Sequence, residues 1–396
     1  MGQEHSRVIV IDAGATGLVL AVGDDGRLHQ IAFGPHAADR RADLPVPLYP
    51  LAYPTFGEEP LREPALRVTH GDGALSTRLR FVSASVVPAT DQSSADQSSA
   101  DQSRADRSSS DQPRADRSSS GQPSSGQPSS GQPAGGAPAG AGVVHRIELE
   151  DRVAPLAVTL WFRTWPAIGV LEQWVEVTNR GDRAVTVHDV AATAPALAGE
   201  VPHLTHWGGG WAAEWTETAE ALRPGVKTVA SAGGVRPSLH APPVVLYTPD
   251  GPAAETSGSV ATCTVQWGGD VRFDAELTPH GQVRLIAGHQ ARGAERVLDP
   301  GEAFTTPRAA WVWSADGVGP ASRALHRFTR DHVVRGGQRT RATVANTWEA
   351  VGFRLDPAGL TAQIDRAADL GAELFLLDDG WFGVDHLPES PDSAVQ

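Results

Sequence analysis

The chain has 396 residues, 40% apolar and 20% charged, which is room for two or three domains with a sizeable core and excludes wholesale disorder. A net charge of −14, with 47 acidic against 33 basic residues, excludes a general nucleic-acid or anionic-membrane binder, which needs a basic face. A single cysteine, Cys263, excludes an intrachain disulfide framework and any multi-cysteine metal site.

Eleven Trp stand against three Tyr. Such a chain either binds sugars or buries a large β core, and composition does not choose between the two. No apolar run reaches the ~18 residues of a membrane span. The start, Met1 to Ser6, lacks a basic region followed by an apolar stretch, so a cytoplasmic protein is expected. Those six residues fit an N-myristoylation pattern, but a strand beginning at Arg7 leaves little free arm for it.

In chain order, residues 7–33 predict a β-hairpin. Val8 to Ile11 and Gly17 to Val22 are strand-like, the turn is Asp24-Asp25-Gly26, and His29 to Phe33 returns. Leu79 to Val87 is another strand. Nine polar pentads then fill 91–135, and a Gly/Pro/Ala stretch runs to Gly142. With no apolar side chain larger than Ala or Pro, this segment cannot offset its ordering entropy and is expected to be disordered. The strands on either side of it look like one β structure, so it is read as an expanded surface loop within a domain.

From 145 to about 315 strands recur at near-regular spacing: His145 to Glu150, Pro155 to Thr164, Gly169 to Val177, Ala184 to Val190, Pro243 to Tyr247, Thr262 to Trp267, Val271 to Leu277, Gln282 to Ala287 and Ala310 to Trp313. That spacing predicts a large antiparallel sandwich. The pattern then changes. Ala321 to Val334 reads as a helix, and Val344 to Trp348 as a strand end. Asp356-Pro357 opens a helix with Asp as N-cap and Pro in the first position. Leu360, Ile364, Ala367, Ala368 and Leu370 are expected on its buried face, with Gly371 closing it. Glu373 to Leu377 is an apolar strand expected to be buried on both faces. Strand, helix, strand is a βαβ unit.

The second of these strands runs into Asp378-Asp379-Gly380-Trp381, and the first into Asn346-Thr347-Trp348-Glu349. Ionised carboxylates accept hydrogen bonds from vicinal sugar hydroxyls, and an indole face suits the C–H face of a pyranose. Barrel enzymes place ligand contacts at such strand ends. The plainer readings are a turn for Asp-Asp-Gly and a core Trp beside a solvated Glu. Two adjacent residues do not make an acid–nucleophile pair, which needs carboxyl groups about 5 Å apart across the scissile bond.

NTWEA, a helix, then ELFLLDDGWFG resembles the opening of the catalytic barrel of glycoside hydrolase family 36, the α-galactosidase and raffinose-synthase group. The stretch SRALHRFTRDHV is similar to that family's linker helix. Further similarity lies in Tyr53 to Gly57, Arg62 to Leu66 and His206 to Glu214. The resemblance implies a mainly β fold: a large antiparallel β-supersandwich over 1–320, carrying the disordered insertion 91–142. A linker helix and loop at 321–341 would follow, then the first strands of a truncated (β/α)8 barrel at 342–383 and a disordered tail at 384–396.

It also implies retaining hydrolysis of terminal α-galactosides. Trp348 would wall the galactose site, Asp378 and Asp379 would hold galactose hydroxyls, and Trp381 would support the pocket. The family's nucleophile and acid/base are Asp on later barrel strands. The chain is therefore expected to lack them and to be inactive alone. Where the family often shows an Asp that reaches a neighbouring subunit, Pro60 stands between Glu59 and Leu61.

The expected partners are an α-galactoside substrate, that is a galacto-oligosaccharide, and further copies of the chain, with neither nucleic acid nor membrane. No cofactor and no metal are expected. His203, His206 and His240 are irregularly spaced and lack evident carboxylate or Cys partners. Two other readings stand beside this one. One is a non-catalytic carbohydrate-binding or structural remnant. The other is an actin-like sugar kinase, for which Asp12-Ala13-Gly14-Ala15-Thr16 fits a D-x-G-x-T phosphate hairpin.

Overall fold

The computed structural model describes residues 7–59, 62–87, 142–234 and 240–381. The pentad repeat, Pro60, the first six residues and the tail 384–396 lie outside the described residues. The chain forms two compact units, Met1–His332 and Val333–Gln396.

In the first unit the strands are β1 (Val8–Asp12), β2 (Gly17–Val22), β3 (Leu28–Gly34), β4 (Leu66–Thr69), β5 (Arg80–Val87), β6 (Val144–Asp151), β7 (Leu156–Trp165), β8 (Val170–Asn179), β9 (Val185–Val190) and β10 (Ala196–Leu197). They continue as β11 (His203–Gly208), β12 (Thr216–Ala221), β13 (Gly225–Ala230), β14 (Val244–Thr248), β15 (Val260–Gln266), β16 (Val271–Leu277), β17 (Val283–His289), β18 (Arg296–Leu298), β19 (Ala303–Thr305) and β20 (Arg308–Ser314). Helix α1 (Val318–Phe328) follows.

One large sheet runs in the order β12-β11-β14-β15-β20-β8-β7-β6-β5, with β19 also on β8. Smaller sheets are β10-β17-β16-β13, β18-β9-β4 and β1-β2-β3. The pairings between these described strands are antiparallel, as short connections favour. The strands flanking the undescribed 88–141, β5 and β6, pair with each other from Arg80↔Glu150 to Val87↔Val144.

Alternation along β7 explains the layering. Leu156, Val158, Leu160 and Phe162 point into one apolar cluster with Ile147, Val175, Phe273 and Leu285. Trp161 and Trp165 lie on the opposite face. There Trp161 stacks on Trp174 with ring centroids 5.9 Å apart, and Arg146 and Arg308 cap the pair. A second cluster seals α1 onto this face through Trp165, Val312, Ala321, Ala324 and Phe328. The helix begins at Val318 rather than at Ala321, and its helical turns end at Phe328. Residues Thr329–Val333 widen into a π-type turn.

Residues 7–33 form a three-stranded meander rather than a single hairpin, because β2 pairs with both β1 and β3. The sugar-kinase reading of its first turn is overturned by where the turn's donors go. The Ala13 N–H donates to the Thr16 carbonyl at 3.0 Å. The Gly14 N–H donates to Asp12 Oδ1 at 2.8 Å. Thr16, fully buried, donates its hydroxyl to the Gly169 carbonyl at 2.7 Å and accepts from the Trp313 N–H at 2.8 Å. The groups that would cradle a phosphate already hold the sandwich together.

The second unit contains β21 (Val344–Asn346), α2 (Trp348–Val351), α3 (Pro357–Asp369) and β22 (Leu374–Leu376). The two strands are parallel, with Val344 opposite Leu374 and Asn346 opposite Leu376. Asp356 caps α3 by accepting from the Gly359 N–H at 2.7 Å, and Pro357 occupies the first turn. Two expectations fail here. Helix α3 has no buried residue, with Ile364 and Leu370 exposed, and Leu374 and Leu376 of β22 are about half exposed. The physical reason is that a two-stranded sheet with one crossover helix offers too little surface to cover both faces of an apolar strand.

Candidate functional site at the ends of two parallel strands

Parallel pairing forces the C-terminal ends of β21 and β22 to the same side, so NTWEA and LDDGW meet. Three hydrogen bonds fix the meeting. The Thr347 N–H donates to the Leu376 carbonyl at 3.2 Å. The hydroxyl of Thr347, fully buried, accepts from the Asp378 N–H at 3.0 Å. Asn346 Nδ2 donates to Asp378 Oδ2 at 2.6 Å. Asn346 Oδ1 in turn accepts from the Trp348 N–H at 2.7 Å, which starts α2. Trp348 therefore opens a one-turn helix rather than closing the strand.

The Asp378 carboxylate also accepts from the Asp379 N–H at 2.8 Å. Both of its oxygens thus carry a bond that favours the charged form, and its pKa lies below the usual carboxylate range, chiefly because of Asn346. Asp379 is exposed, and its carboxylate accepts no hydrogen bond among the described residues. The two acids, expected to play the same part, differ: one is half engaged in the turn and the other is open.

Trp348 is half-buried, and its indole meets Phe353 edge-on at 5.0 Å between centroids. Gly380 has φ +99, and a Cβ there would meet Phe353 Cδ1 at 3.1 Å and Leu355 Cδ1 at 3.2 Å. That glycine lets the Asp-Asp turn lie against the α2–α3 connection that carries Phe353. Trp381 is 70% exposed. The structure therefore brings Trp348, Asp378 and Asp379 to one pair of adjoining strand ends, with Trp381 just beyond. Asn346 and Thr347, not singled out from sequence, hold the pair together; both lie inside the NTWEA motif.

Elsewhere, His206 lies 3.3 Å from Glu220, and His203 Nδ1 lies 2.8 Å from the Val201 carbonyl. Among the described residues no group of three His, Cys, Asp or Glu side chains could hold a metal ion. No described helix is long and apolar enough to cross a membrane. A cavity of about 480 Å³ in the first unit, lined by Ile168, Trp313, Pro320, Asp316 and Arg327 among others, contains none of the expected site residues.

Residues 24–298 match the model of the glycosyl hydrolase family 36 N-terminal domain, and residues 303–391 match that of Melibiase. A probable alpha-galactosidase C of Aspergillus terreus is 30% identical over 250 residues, covering 63% of this chain and 33% of its own length. The alpha-galactosidase from Lactobacillus brevis superposes with a TM-score of 0.76 at 20% identity, over 97% of this chain and 50% of that one. A variant of the GH36 alpha-galactosidase AgaA from Geobacillus stearothermophilus, in complex with raffinose, gives 0.76 at 22% identity, over 96% and 51%. The chain thus spans about a third of the curated relatives it matches and about half of the solved structures. The fold, an N-terminal sandwich followed by the first strands of a barrel, is theirs. With more than half of its residues matched by the N-terminal model, the chain belongs to glycosyl hydrolase family 36.

Proposed function

We propose that this chain serves the hydrolysis of terminal α-galactosides by holding the galactose unit at the ends of β21 and β22. The observation that carries the reading is the open Asp379 carboxylate beside an Asp378 locked by Asn346, next to the half-buried indole of Trp348. Asp379 accepts from sugar hydroxyls, and Asp378 does so through the lone pairs its turn leaves over. Trp348 supplies an apolar wall, and Trp381 bounds the site on the far side of Gly380. Raffinose in the related Geobacillus stearothermophilus enzyme supports the choice of a galacto-oligosaccharide.

These residues bind; they do not cleave. Retaining hydrolysis needs a nucleophile and an acid/base about 5 Å apart on either side of the scissile bond. Asp378 and Asp379 are neighbours on one strand end, and one of them is tied into the turn. The described residues therefore stabilise bound sugar without offering a covalent route through the transition state. The test is to assay the pure 396-residue chain on an aryl α-galactoside. The expected result is no turnover. Turnover that disappears in Asp378→Ala would show that the acids are catalytic and that binding is the wrong role.

A further inference from the structure

The outer face of the β1-β2-β3 meander carries a cavity. Val8 stands opposite Ala21 and Val10 opposite Val19, so these four side chains share one face. Ile11, Leu18 and Leu20 point the other way, into the core. Between that outer face and the chain segment 40–47 lies a space of about 300 Å³. Val19, Ala21 and Ile31 form its floor, and Leu44, Pro45 and Val46 its roof. Val8 and Leu44, which also line it, are 50% and 55% exposed and mark its mouth, whereas Val19 and Ala21 are buried. The volume lies at the small end of the range for ligand sites, about 300–1,000 Å³.

The covering segment is pinned by its own hydrogen bonds. The Asp43 N–H donates to the Tyr49 hydroxyl at 2.9 Å, and that hydroxyl donates to the Asp43 carboxylate. The Tyr49 N–H donates to the Val46 carbonyl at 3.0 Å, closing a single turn over Val46–Leu48. Arg41 Nη1 donates to the carbonyls of Ala38 and Arg40 at 3.1 and 2.9 Å. So held, the apolar walls stand apart instead of packing on each other, and they forgo the dispersion contacts that closure would give. A space with such walls offers water few partners and takes apolar ligands instead.

The charged part of the lining names the rest of the ligand. Arg40 and Arg41 line the cavity against one acid, Asp24, which makes it locally basic on a chain of net charge −14. The Arg40 guanidinium makes no hydrogen bond or ion pair among the described residues, and the acid near it, Asp43, is engaged with Tyr49. We propose that this cavity binds a small amphipathic anion, an aliphatic carboxylate of medium chain length, with its hydrocarbon tail between floor and roof and its carboxylate on Arg40. Charge favours this ligand over a second copy of the chain, because two copies docked at the mouth would set Arg40 and Arg41 against their own counterparts. A neutral hydrocarbon would fill the walls and leave Arg40 unmatched. The inference stands whether or not the strand ends hold galactose.

The test is a titration of the full chain, with its Val and Leu methyl groups labelled for NMR, using decanoate and, in parallel, the uncharged 1-decanol. Val19→Ile and Val46→Ile assign the floor and roof resonances. Both are expected to shift saturably with submillimolar decanoate. Arg40→Gln should weaken decanoate about fivefold, the worth of an exposed ion pair, and leave decanol unchanged. Ala42→Trp, at an exposed position of the lining, should block both ligands. The melting temperatures of the Arg40 and Ala42 variants should stay that of the wild type, because both side chains are exposed. Floor and roof methyls that ignore decanoate would overturn the proposal, as would an Arg40→Gln chain that binds decanoate as the wild type does. Methyls that move with protein concentration instead would make the mouth a self-association surface and overturn it too.

Discussion

Replacing Thr16 with Val tests how the first turn is used. Thr16 is fully buried, and its hydroxyl serves two partners on different strands: the Gly169 carbonyl at 2.7 Å and the Trp313 N–H at 2.8 Å. Valine keeps the shape and removes both bonds. A buried polar group left unsatisfied costs about 1–3 kcal/mol, so two orphaned backbone groups cost about 2–6 kcal/mol together. For a domain of this size each kcal/mol lowers the melting temperature by about 2–4 °C, which gives a fall of about 4–24 °C. Thr16→Ser keeps the hydroxyl and loses only a methyl group, worth about 1 kcal/mol. Thermal unfolding of the full chain by far-UV circular dichroism reads all three proteins. The kinase alternative makes a different demand, since the same hydroxyl would meet phosphate and ATP would raise the melting temperature. A Thr16→Val protein as stable as wild type, a serine variant as damaged as the valine one, or stabilisation by ATP would each refute the reasoning.

Other outcomes follow from the same structure. Glu58 is buried enough to push its pKa up to about 7, and its carboxyl group lies 2.9 Å from the Thr55 hydroxyl, which also bonds to the Thr77 carbonyl. A folded-state pKa above the unfolded one means that the native state binds more protons between about 4.5 and 7, so this group's contribution to stability falls as pH rises through that window. Glu58→Gln should flatten the stability profile there; an unchanged profile in denaturant titrations would remove Glu58 as its source. At the strand ends, Asn346→Ala should raise the pKa of Asp378 toward the ordinary carboxylate value, because Asn346 is the main cause of its depression. Carbon-detected NMR titration reads this directly, and no change would mean that the 2.6 Å bond is absent in solution.

Much of the sandwich was legible because its strands announce themselves chemically. Strands β6, β7 and β8 alternate branched apolar residues with polar ones, and their predicted limits are within two residues of the observed ones. Asp356-Pro357 was legible as a helix start because the cap needs only local atoms. Strands β11, β12 and β13 were not. The segment Thr216–Ala221 reads TETAEA, with no large apolar side chain and four exposed residues in a row. It is a strand because β11 presents a ladder for it, and that lies in tertiary contact rather than local preference.

The site shows the same division. Carboxylates and indoles stood out by type, so Trp348, Asp378, Asp379 and Trp381 were named from sequence. The difference between the two acids was not visible, because it depends on parallel register placing Asn346 and Thr347 beside Asp378. ELFLL reads as a strand buried on both faces, and the sequence pattern states what a strand needs rather than what lies over it.

The central claim, that the ends of β21 and β22 read galactose hydroxyls, is tested most directly by titrating the full chain with galactose and with its C4 epimer glucose, for the wild type and Asp379→Asn. A charge-assisted hydrogen bond from a sugar hydroxyl is worth about 1.5–3 kcal/mol, or roughly a ten- to hundredfold difference in affinity. The account predicts that galactose binds in preference to glucose and that Asp379→Asn loses affinity by that factor. Equal binding of the two sugars, or an Asp379→Asn chain that binds galactose as the wild type does, would contradict it.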